Sequence, residues 1–180
     1  MRENEIIPEY RTLDRLDVSP WIKQGDKFKD NYKEVNTPLT QFKVRYDGND
    51  PFGDTYYFYN NITDKCVGFF TLQKPVAGEF RNLNRYLNTG VKALKPHMGL
   101  APQVQRQGVT TLVYTTFLRG GKWVFITEQH TVAASKLWDS LVKNDVISFY
   151  VSDMTGKPTN DPTFNDYRLL GPKDRFKNIV

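Results

Sequence analysis

The stretch from Gly108 to Val151 constrains the fold most, because its hydrophobic period changes repeatedly within 44 residues. Apolar residues recur at helical spacing over 109–117, and Gly120-Gly121 follows as a helix end. Residues 122–127, KWVFIT, form a nearly continuous apolar run, typical of a strand buried on both faces. A second helical stripe follows, formed by Ala134, Leu137, Trp138, Leu141 and Val142. Another apolar run, 146–151, comes after it. This pattern predicts alternating helices and strands.

The preceding half of the chain is richer in strand signals. After a helix that begins at Ser19-Pro20 and ends before Asn36-Thr37-Pro38, an alternating strand is predicted at 42–46. Two β-rich runs, 55–59 and 66–72, flank a turn-rich segment and predict a hairpin. Further elements are predicted as a short helix around Phe80, Leu83 and Leu87, a strand at 91–100 irregular at Pro96 and Gly99, and a last strand at 167–170.

Together these elements predict a mixed α/β (α+β) fold with a mostly antiparallel central sheet flanked by helices. A length of 180 residues suits one domain, with a core over about 20–151 and a polar C-terminal tail over 152–180. The single cysteine, Cys66, excludes an internal disulfide, and we expect it to be a buried, inert thiol in mid-strand. The first residues, MRENEIIPEYRTLDRLD, lack an apolar core, and no long apolar run follows, so we expect a cytoplasmic protein without a membrane segment.

Charge is distributed unevenly. No acidic residue occurs between Glu79 and Glu128, whereas this window contains seven basic residues and the rest of the chain has 18 basic against 20 acidic ones. One interpretation is an anion site for the phosphates of a cofactor or of nucleic acid. The alternative is that a mostly buried stretch contains few charges of any kind.

The loop 101–108, APQVQRQG, joins the predicted strand at 91–100 to the helix that begins at Val109. Backbone amides at a helix start have no intrahelical partner and carry the positive end of the helix dipole, so they bind phosphate. Gly108 removes a side chain where an anion would approach, and Arg106 adds charge beside it. An ordinary helix cap in a strand–helix loop is the alternative interpretation.

The residues Gln105-Arg106-Gln107-Gly108-Val109-Thr110 resemble the Q/R-x-x-G-x-G/A signature of the GNAT superfamily of N-acyltransferases. A second segment, 131–138 (TVAASKLW), is similar to the N-x-x-A-x-x-L-Y segment of that family. The resemblance implies a GNAT-like architecture, with acetyl-CoA as co-substrate and its pyrophosphate held by backbone amides of the signature. The cofactor-binding residues it implies are Leu100, Gln105, Arg106, Gln107, Gly108, Val109, Thr110 and Thr131.

The chain departs from the family pattern at several positions, and one of these is Val142-Lys143, which stands where Gly-Phe usually follows the second segment. Thr110 replaces a glycine or alanine, and Thr131 replaces an asparagine. Trp138 replaces a tyrosine that often serves as general acid, and an indole cannot supply a proton in that role. One of Tyr56, Tyr57 and Tyr59 could be the acid instead, although tyrosines in a strand more often pack in the core.

Transfer of an acetyl group to an amine requires a base for the ammonium proton. Glu128, the first acidic residue after the acid-free window, follows the predicted central strand, so we expect it to be the base unless it is only a solvated strand-end charge. His97 is a second catalytic candidate, and His130 is the remaining histidine; both have a structural role as the alternative. Two histidines are too few for a zinc site, so we expect no metal.

The sequence therefore predicts an acyl-CoA-dependent N-acyltransferase with an unidentified amine acceptor. A nucleic-acid-associated protein, either binding DNA or RNA or modifying DNA bases, is the second hypothesis, because the basic window contains aromatic residues. The third is a GNAT-like fold kept as an inert interaction or virion part. A composition rich in Asn, Thr and aromatic residues resembles that of bacteriophage proteins, which would place the chain in the host cytoplasm.

Overall fold

Helices and strands follow the order that the hydrophobic pattern predicts. The computed structural model describes residues 18–49, 51, 53–75, 81–105, 108–128, 132–152, 157–164 and 166–179. Three α-helices are present there: α1 (Ser19–Lys27), α2 (Val109–Arg119) and α3 (Val132–Leu141). The strands are β1 (Lys33–Val35), β2 (Phe42–Asp47), β3 (Gly53–Asn60), β4 (Cys66–Gln73), β5 (Lys92–Leu100), β6 (Trp123–Glu128), β7 (Val146–Val151), β8 (Pro158–Thr159) and β9 (Tyr167–Pro172). The predicted fold class, mixed α/β with a mostly antiparallel sheet, is confirmed.

The chain divides into two compact units. The first contains residues 1–73 and 97–116, and the second contains residues 74–96 and 117–180. The boundaries fall inside β5 and inside α2, so each of these elements contributes to both units. The expectation of one domain over 1–180 stays a prediction.

In the first unit, the strand order is β1-β2-β3-β4-β5. The pairs β1–β2, β2–β3 and β3–β4 are antiparallel, with Tyr57 opposite Phe69 in the β3–β4 pair. Seven of the eight residues of β4 are buried, which requires cover on both faces. Trp21 of α1 stacks on Phe69 at 4.3 Å, and Tyr114 of α2 meets the edge of Phe70 at 5.5 Å. Because adjacent strand residues face opposite ways, α1 covers one face of β4 and α2 the other.

Helix α1 is shorter than predicted. We expected Phe28, Tyr32 and Val35 to continue the helical face of Trp21, but a 3-10 turn over Lys29–Asn31 and then β1 follow Lys27. Asp and Asn favour turns over helix interiors, and pairing of β1 with β2 satisfies the backbone that a longer helix would have used. Ser19 also lies inside the first turn rather than at the cap, which is Val18.

In the second unit, the strand order is β5-β6-β9-β7-β8. Strands β5 and β6 are parallel, and the remaining pairs are antiparallel. The strands pack together with a 3-10 helix over Arg81–Tyr86 around one hydrophobic core. The buried residues of this core are Leu83, Leu87, Val124, Ile126, Phe149, Val151 and Leu169. The predicted short helix is thus a 3-10 helix, and Phe80 lies outside the described residues.

The C-terminal region is not a polar tail outside the core. Strand β9 pairs with β6 on one side and β7 on the other, and Leu169 and Leu170 are completely buried. The predicted strand at 167–170 is correct, but the prediction that the core ends near residue 151 is wrong. Two apolar side chains in a polar segment are enough for a central strand when its backbone pairs on both sides.

Gly25 is the position at which α1 can approach the hairpin of β3 and β4. A Cβ atom there would lie 2.6 Å from the Sγ atom of Cys66 and 2.8 Å from the Cδ1 atom of Tyr57. We therefore expect Gly25→Ala to lower the free energy of unfolding by about 1–2 kcal/mol, because overpacking outweighs the better helix propensity of alanine. Urea unfolding measures the change.

Two variants control this experiment. Lys23→Ala, on the exposed side of the same helix, should change stability by no more than about 0.5 kcal/mol. In a Cys66→Ala background, Gly25→Ala should cost less, because the nearest clashing atom has been removed. An equal cost in both backgrounds would show that the contact with Cys66 is not responsible.

Candidate functional site

The end of β5 is held by its neighbour β4. A Cβ atom on Gly68 would lie 2.7 Å from the carbonyl oxygen of Gly99, so only glycine permits this approach. Immediately after the strand, the amide of Ala101 donates to the carbonyl of Val67 at 2.8 Å. Leu100 is buried at this point. The loop toward α2 therefore starts from a fixed position.

The loop itself is compact up to Gln105. Pro102–Val104 form a 3-10 turn, in which the amide of Val104 donates to the carbonyl of Ala101 at 3.0 Å. The side-chain Nε2 of Gln105 donates to the carbonyl of Leu100 at 2.9 Å and ties the loop back to the strand end. Two of the predicted cofactor-binding residues are thus joined directly. Arg106 and Gln107 lie outside the described residues.

Gly108 is the first residue of the helix start. It has φ of +70°, which disfavours other residues, and a Cβ atom there would have no neighbour within 4 Å. The first helical hydrogen bond of α2 runs from the amide of Leu112 to the carbonyl of Gly108 at 3.2 Å. The amides of Gly108, Val109 and Thr110 therefore precede the helical hydrogen-bond ladder, at the positive end of the dipole.

Packing holds this helix start in place. Val109 and Val113 are buried on one side of α2, and Thr110 is half-buried between them along the chain. Leu112, which we expected on the apolar face, is exposed instead. An anion at Gly108 would meet the backbone amides of a helix start that the buried Val109 and Val113 anchor. A helix start of this kind can bind an anion.

The two catalytic candidates are on different units. His97 is exposed on β5 in the first unit, and Glu128 is the last residue of β6 in the second. The Glu128 side chain is 68% exposed, and its Oε1 lies 3.8 Å from Nζ of Lys95. Sequence reasoning missed Lys95, although its position one residue after the buried Leu94 in β5 indicates that it lies on the opposite face. Thr131 and His130 lie outside the described residues.

Of the three tyrosines that could be the general acid, Tyr57 and Tyr59 are core residues, whereas Tyr56 is half-buried. Trp138 is 2% exposed. Tyr57 and Tyr59 are fully buried, and burial raises the pKa of both hydroxyls well above the ordinary value. The Tyr59 hydroxyl donates to the carbonyl of Gly25 at 2.6 Å. Burial therefore argues against Tyr57 and Tyr59 as proton donors to a leaving thiolate, and Tyr56 stays a prediction.

The described residues contain no group of three or more His, Cys, Asp or Glu side chains placed to hold a metal ion. Within the same part of the chain, no helix is both long and apolar enough to cross a membrane.

Comparisons with known proteins find similarity at the level of structure. No protein-family model matches the sequence, and no curated protein does. A chimera of Vibrio cholerae spermidine N-acetyltransferase SpeG and hSSAT is similar over 69% of this chain and 68% of that one, with 10% identity and a TM-score of 0.40. NAA60 of Arabidopsis thaliana in complex with a bisubstrate analogue is similar over 72% and 79%, with 14% identity and a TM-score of 0.40.

A GNAT-family acetyltransferase described as putative, from Bordetella pertussis, is also similar, over 66% of this chain and 64% of that one. Its identity is 13% and its TM-score 0.40. These similarities assign no activity to the chain.

Cys66 is not a candidate nucleophile. It is 4% exposed, and burial raises the pKa of its thiol to about 11. At pH 8 we expect the native thiol to react with iodoacetamide roughly 100-fold more slowly than the unfolded chain, because the thiolate fraction falls tenfold for each unit of pKa. Mass spectrometry of the native and urea-unfolded protein measures both rates, and equal rates would contradict the burial.

The same shift predicts a pH dependence of stability. Above pH 9 the thiol ionises in the unfolded chain but not in the folded one, so this part of the stability, present below pH 9, is lost as the pH rises toward 11. Cys66→Ala should reduce the loss between pH 9 and 10 by up to about 1.4 kcal/mol. Urea unfolding at both pH values measures this difference, with the buried tyrosines contributing equally to both proteins.

Proposed function

We propose that this protein is an N-acyltransferase that uses acetyl-CoA and an amine acceptor. The observation that carries the proposal is the helix start at Gly108, a residue of positive φ with an open Cβ position, where the amides of Gly108, Val109 and Thr110 precede the helical hydrogen-bond ladder. The signature-like sequence around that residue, Gln105 to Thr110, supports the same assignment.

In this proposal the helix start binds the pyrophosphate of acetyl-CoA, whose thioester supplies an activated acetyl group. The amides of Gly108, Val109 and Thr110 provide the positive charge without a conformational change, and Gln105 keeps the preceding loop folded against Leu100. Arg106, Gln107 and Thr131 complete the proposed cofactor-binding set. Thr110 contributes its amide as a glycine would, since the amide and not the side chain is required.

Glu128 is the proposed base. An amine acceptor is an ammonium ion at neutral pH and must lose a proton before its nitrogen can attack a carbonyl carbon. The Glu128 carboxylate is 68% exposed and can accept such a cation, and Nζ of Lys95 lies 3.8 Å from its Oε1. An exposed pair of this kind contributes little to stability, so loss of the carboxylate should affect chemistry more than folding. His97 is retained as a second proposed catalytic residue.

The first test is binding. At acetyl-CoA concentrations about 100 times the Kd, stability should rise by about 2.7 kcal/mol, which raises the Tm by several degrees. Gly108→Asp should weaken acetyl-CoA binding more than tenfold, because its carboxylate repels the pyrophosphate. Isothermal titration calorimetry measures the affinities, with ATP as an anion control.

Gly90 provides the matched control. It also has positive φ, +83°, and an open Cβ position, so Gly90→Asp imposes the same backbone strain and charge elsewhere. Its acetyl-CoA affinity should equal that of the wild type. Unchanged affinity in a folded Gly108→Asp protein would refute the assignment of the loop, and an equal Tm shift with ATP would reduce it to a general anion site.

The second test is turnover. Glu128→Gln should lower kcat at least tenfold while the Kd for acetyl-CoA stays the same, because the base acts on the acceptor. Release of the CoA thiol is followed with spermidine, a lysine peptide and a peptide with a free N-terminus as acceptors. Glu34→Gln, at an exposed strand position, is the matched control. An unaltered rate would remove Glu128 from the mechanism, and acetyl-CoA binding without turnover of any amine would favour the inert-fold hypothesis.

A further inference from the structure

Basic residues are concentrated along one side of the sheet in the second unit, where the ends of several strands lie. We refer to this line of strand ends as an edge of the sheet. Strands β5, β6 and β7 begin at this edge, and β9 ends there. The amide of Lys92 donates to the carbonyl of Lys122 at 3.1 Å, so the starts of β5 and β6 are adjacent. Val146, the first residue of β7, is opposite Pro172, the last residue of β9.

The segment that follows β9 extends the same edge. The amide of Lys173 donates to the carbonyl of Asp145 at 2.6 Å, next to the start of β7. The amide of Asn88 donates to the carbonyl of Arg175 at 3.0 Å, and that of Lys177 to the carbonyl of Tyr86 at 2.9 Å. Residues 173–177 therefore lie beside residues 85–88.

We call this surface the basic edge and define it by the residues Arg85, Lys92, Arg119, Lys122, Lys143, Lys173, Arg175 and Lys177. Among the described residues of these same segments, the acidic side chains are Asp145 and Asp174. Arg119 pairs with Asp145 at 2.6 Å, and Arg175 donates to the carbonyls of Leu118 and Trp123. The side chains of these two arginines therefore form contacts within the protein.

The other six cations point to solvent. Arg85, Lys92, Lys122, Lys143, Lys173 and Lys177 are all exposed, and none of them forms an ion pair with another described residue. The strand order β5-β6-β9-β7 gives each strand one of these lysines at its end: Lys92, Lys122, Lys173 and Lys143. Because neighbouring strands are about 4.8 Å apart, the row extends over roughly 15 Å.

We propose that the basic edge binds the phosphodiester backbone of a nucleic acid. One strand of DNA carries a phosphate for about every 3.4 Å of helix axis, so a 15 Å row covers about four phosphates. When exposed lysines bind phosphates, counterions are released from the nucleic acid, and the binding depends on charge rather than on base sequence. An anionic membrane fits the basic edge less well, because a surface that binds membranes also presents several apolar side chains. Of the large apolar residues that are exposed in the described part of the chain, Val142 alone adjoins the row of lysines. The proposal does not depend on the acyltransferase activity.

The test measures binding by fluorescence anisotropy between 50 and 300 mM KCl. The probes are a 24-base-pair duplex DNA and a single-stranded RNA of 24 nucleotides. The variant Lys92→Gln/Lys122→Gln/Lys143→Gln should raise the Kd at 100 mM KCl at least tenfold and reduce the slope of log K against log salt by about 2–3. Binding of either probe with this dependence supports the proposal, and the better probe identifies the type of nucleic acid.

The control Lys23→Gln/Lys33→Gln/Lys65→Gln removes the same charge from exposed positions of the first unit. It should retain the wild-type salt slope, and the Tm of each variant verifies folding. An equal loss in the control would attribute binding to net charge alone and overturn the proposal. Failure of the wild type to bind either probe at 50 mM KCl would also overturn it, as would lysine-dependent binding to vesicles containing 30% phosphatidylserine in place of nucleic acid.

Discussion

The close approach of β4 to the end of β5 is the constraint on which the candidate site depends. Gly68 and Gly99 make this approach feasible, since a Cβ atom on Gly99 would lie 2.6 Å from the ring of Phe69. The loop leaves from a strand end fixed by the bond between Ala101 and Val67, and it arrives at a helix anchored by the buried Val109 and Val113. The position of Gly108 is therefore set by core packing at both ends of its loop.

This arrangement has a consequence for binding energy. A loop that becomes ordered only on binding uses part of its interaction energy to restrict its own backbone. Here the helix-start amides belong to a helix anchored by the buried Val109 and Val113, and the hydrogen bond from the Gln105 side chain to Leu100 does not use those amides. A family signature in sequence indicates which residue types are present, whereas the packing determines whether their amides converge. Thr110 illustrates the difference, because its side chain departs from the signature while its amide lies at the same helical position.

The sequence was sufficient for the elements that have a strong period. The run at 122–127 and the stripes of α2 and α3 predict their elements to within a residue or two, because each has a clear hydrophobic period, although Leu112 and Val142 of these stripes are exposed. The region 28–35 was mispredicted, because its apolar spacing suits a helix, whereas the pairing of β1 with β2 decides the outcome. The position of β9 between β6 and β7 could not be predicted either, since nothing local encodes which strands a segment joins. At the candidate site, Gly108 was evident from its motif, but the pairing of Lys95 with Glu128 depends on the parallel register of β5 and β6.

The acid-free window has two physical origins that composition alone could not separate. Much of it is buried strand and helix, where charges of either sign are rare, as the alternative interpretation held. The cations that remain are concentrated at element ends: Lys92 begins β5, Lys122 precedes β6 and Arg119 ends α2. In the proposed cofactor site, the helix start at Gly108 would therefore bind an anion through backbone dipoles, together with the charge of Arg106. The helix dipole acts within the first turn and is screened by salt, whereas the binding of a polyanion to exposed lysines also releases the counterions condensed on that polyanion. The affinity of the basic edge for a polyanion should consequently fall more steeply with ionic strength than the affinity of the helix start at Gly108 for a phosphate ligand. This difference allows the two binding activities to be distinguished in one protein.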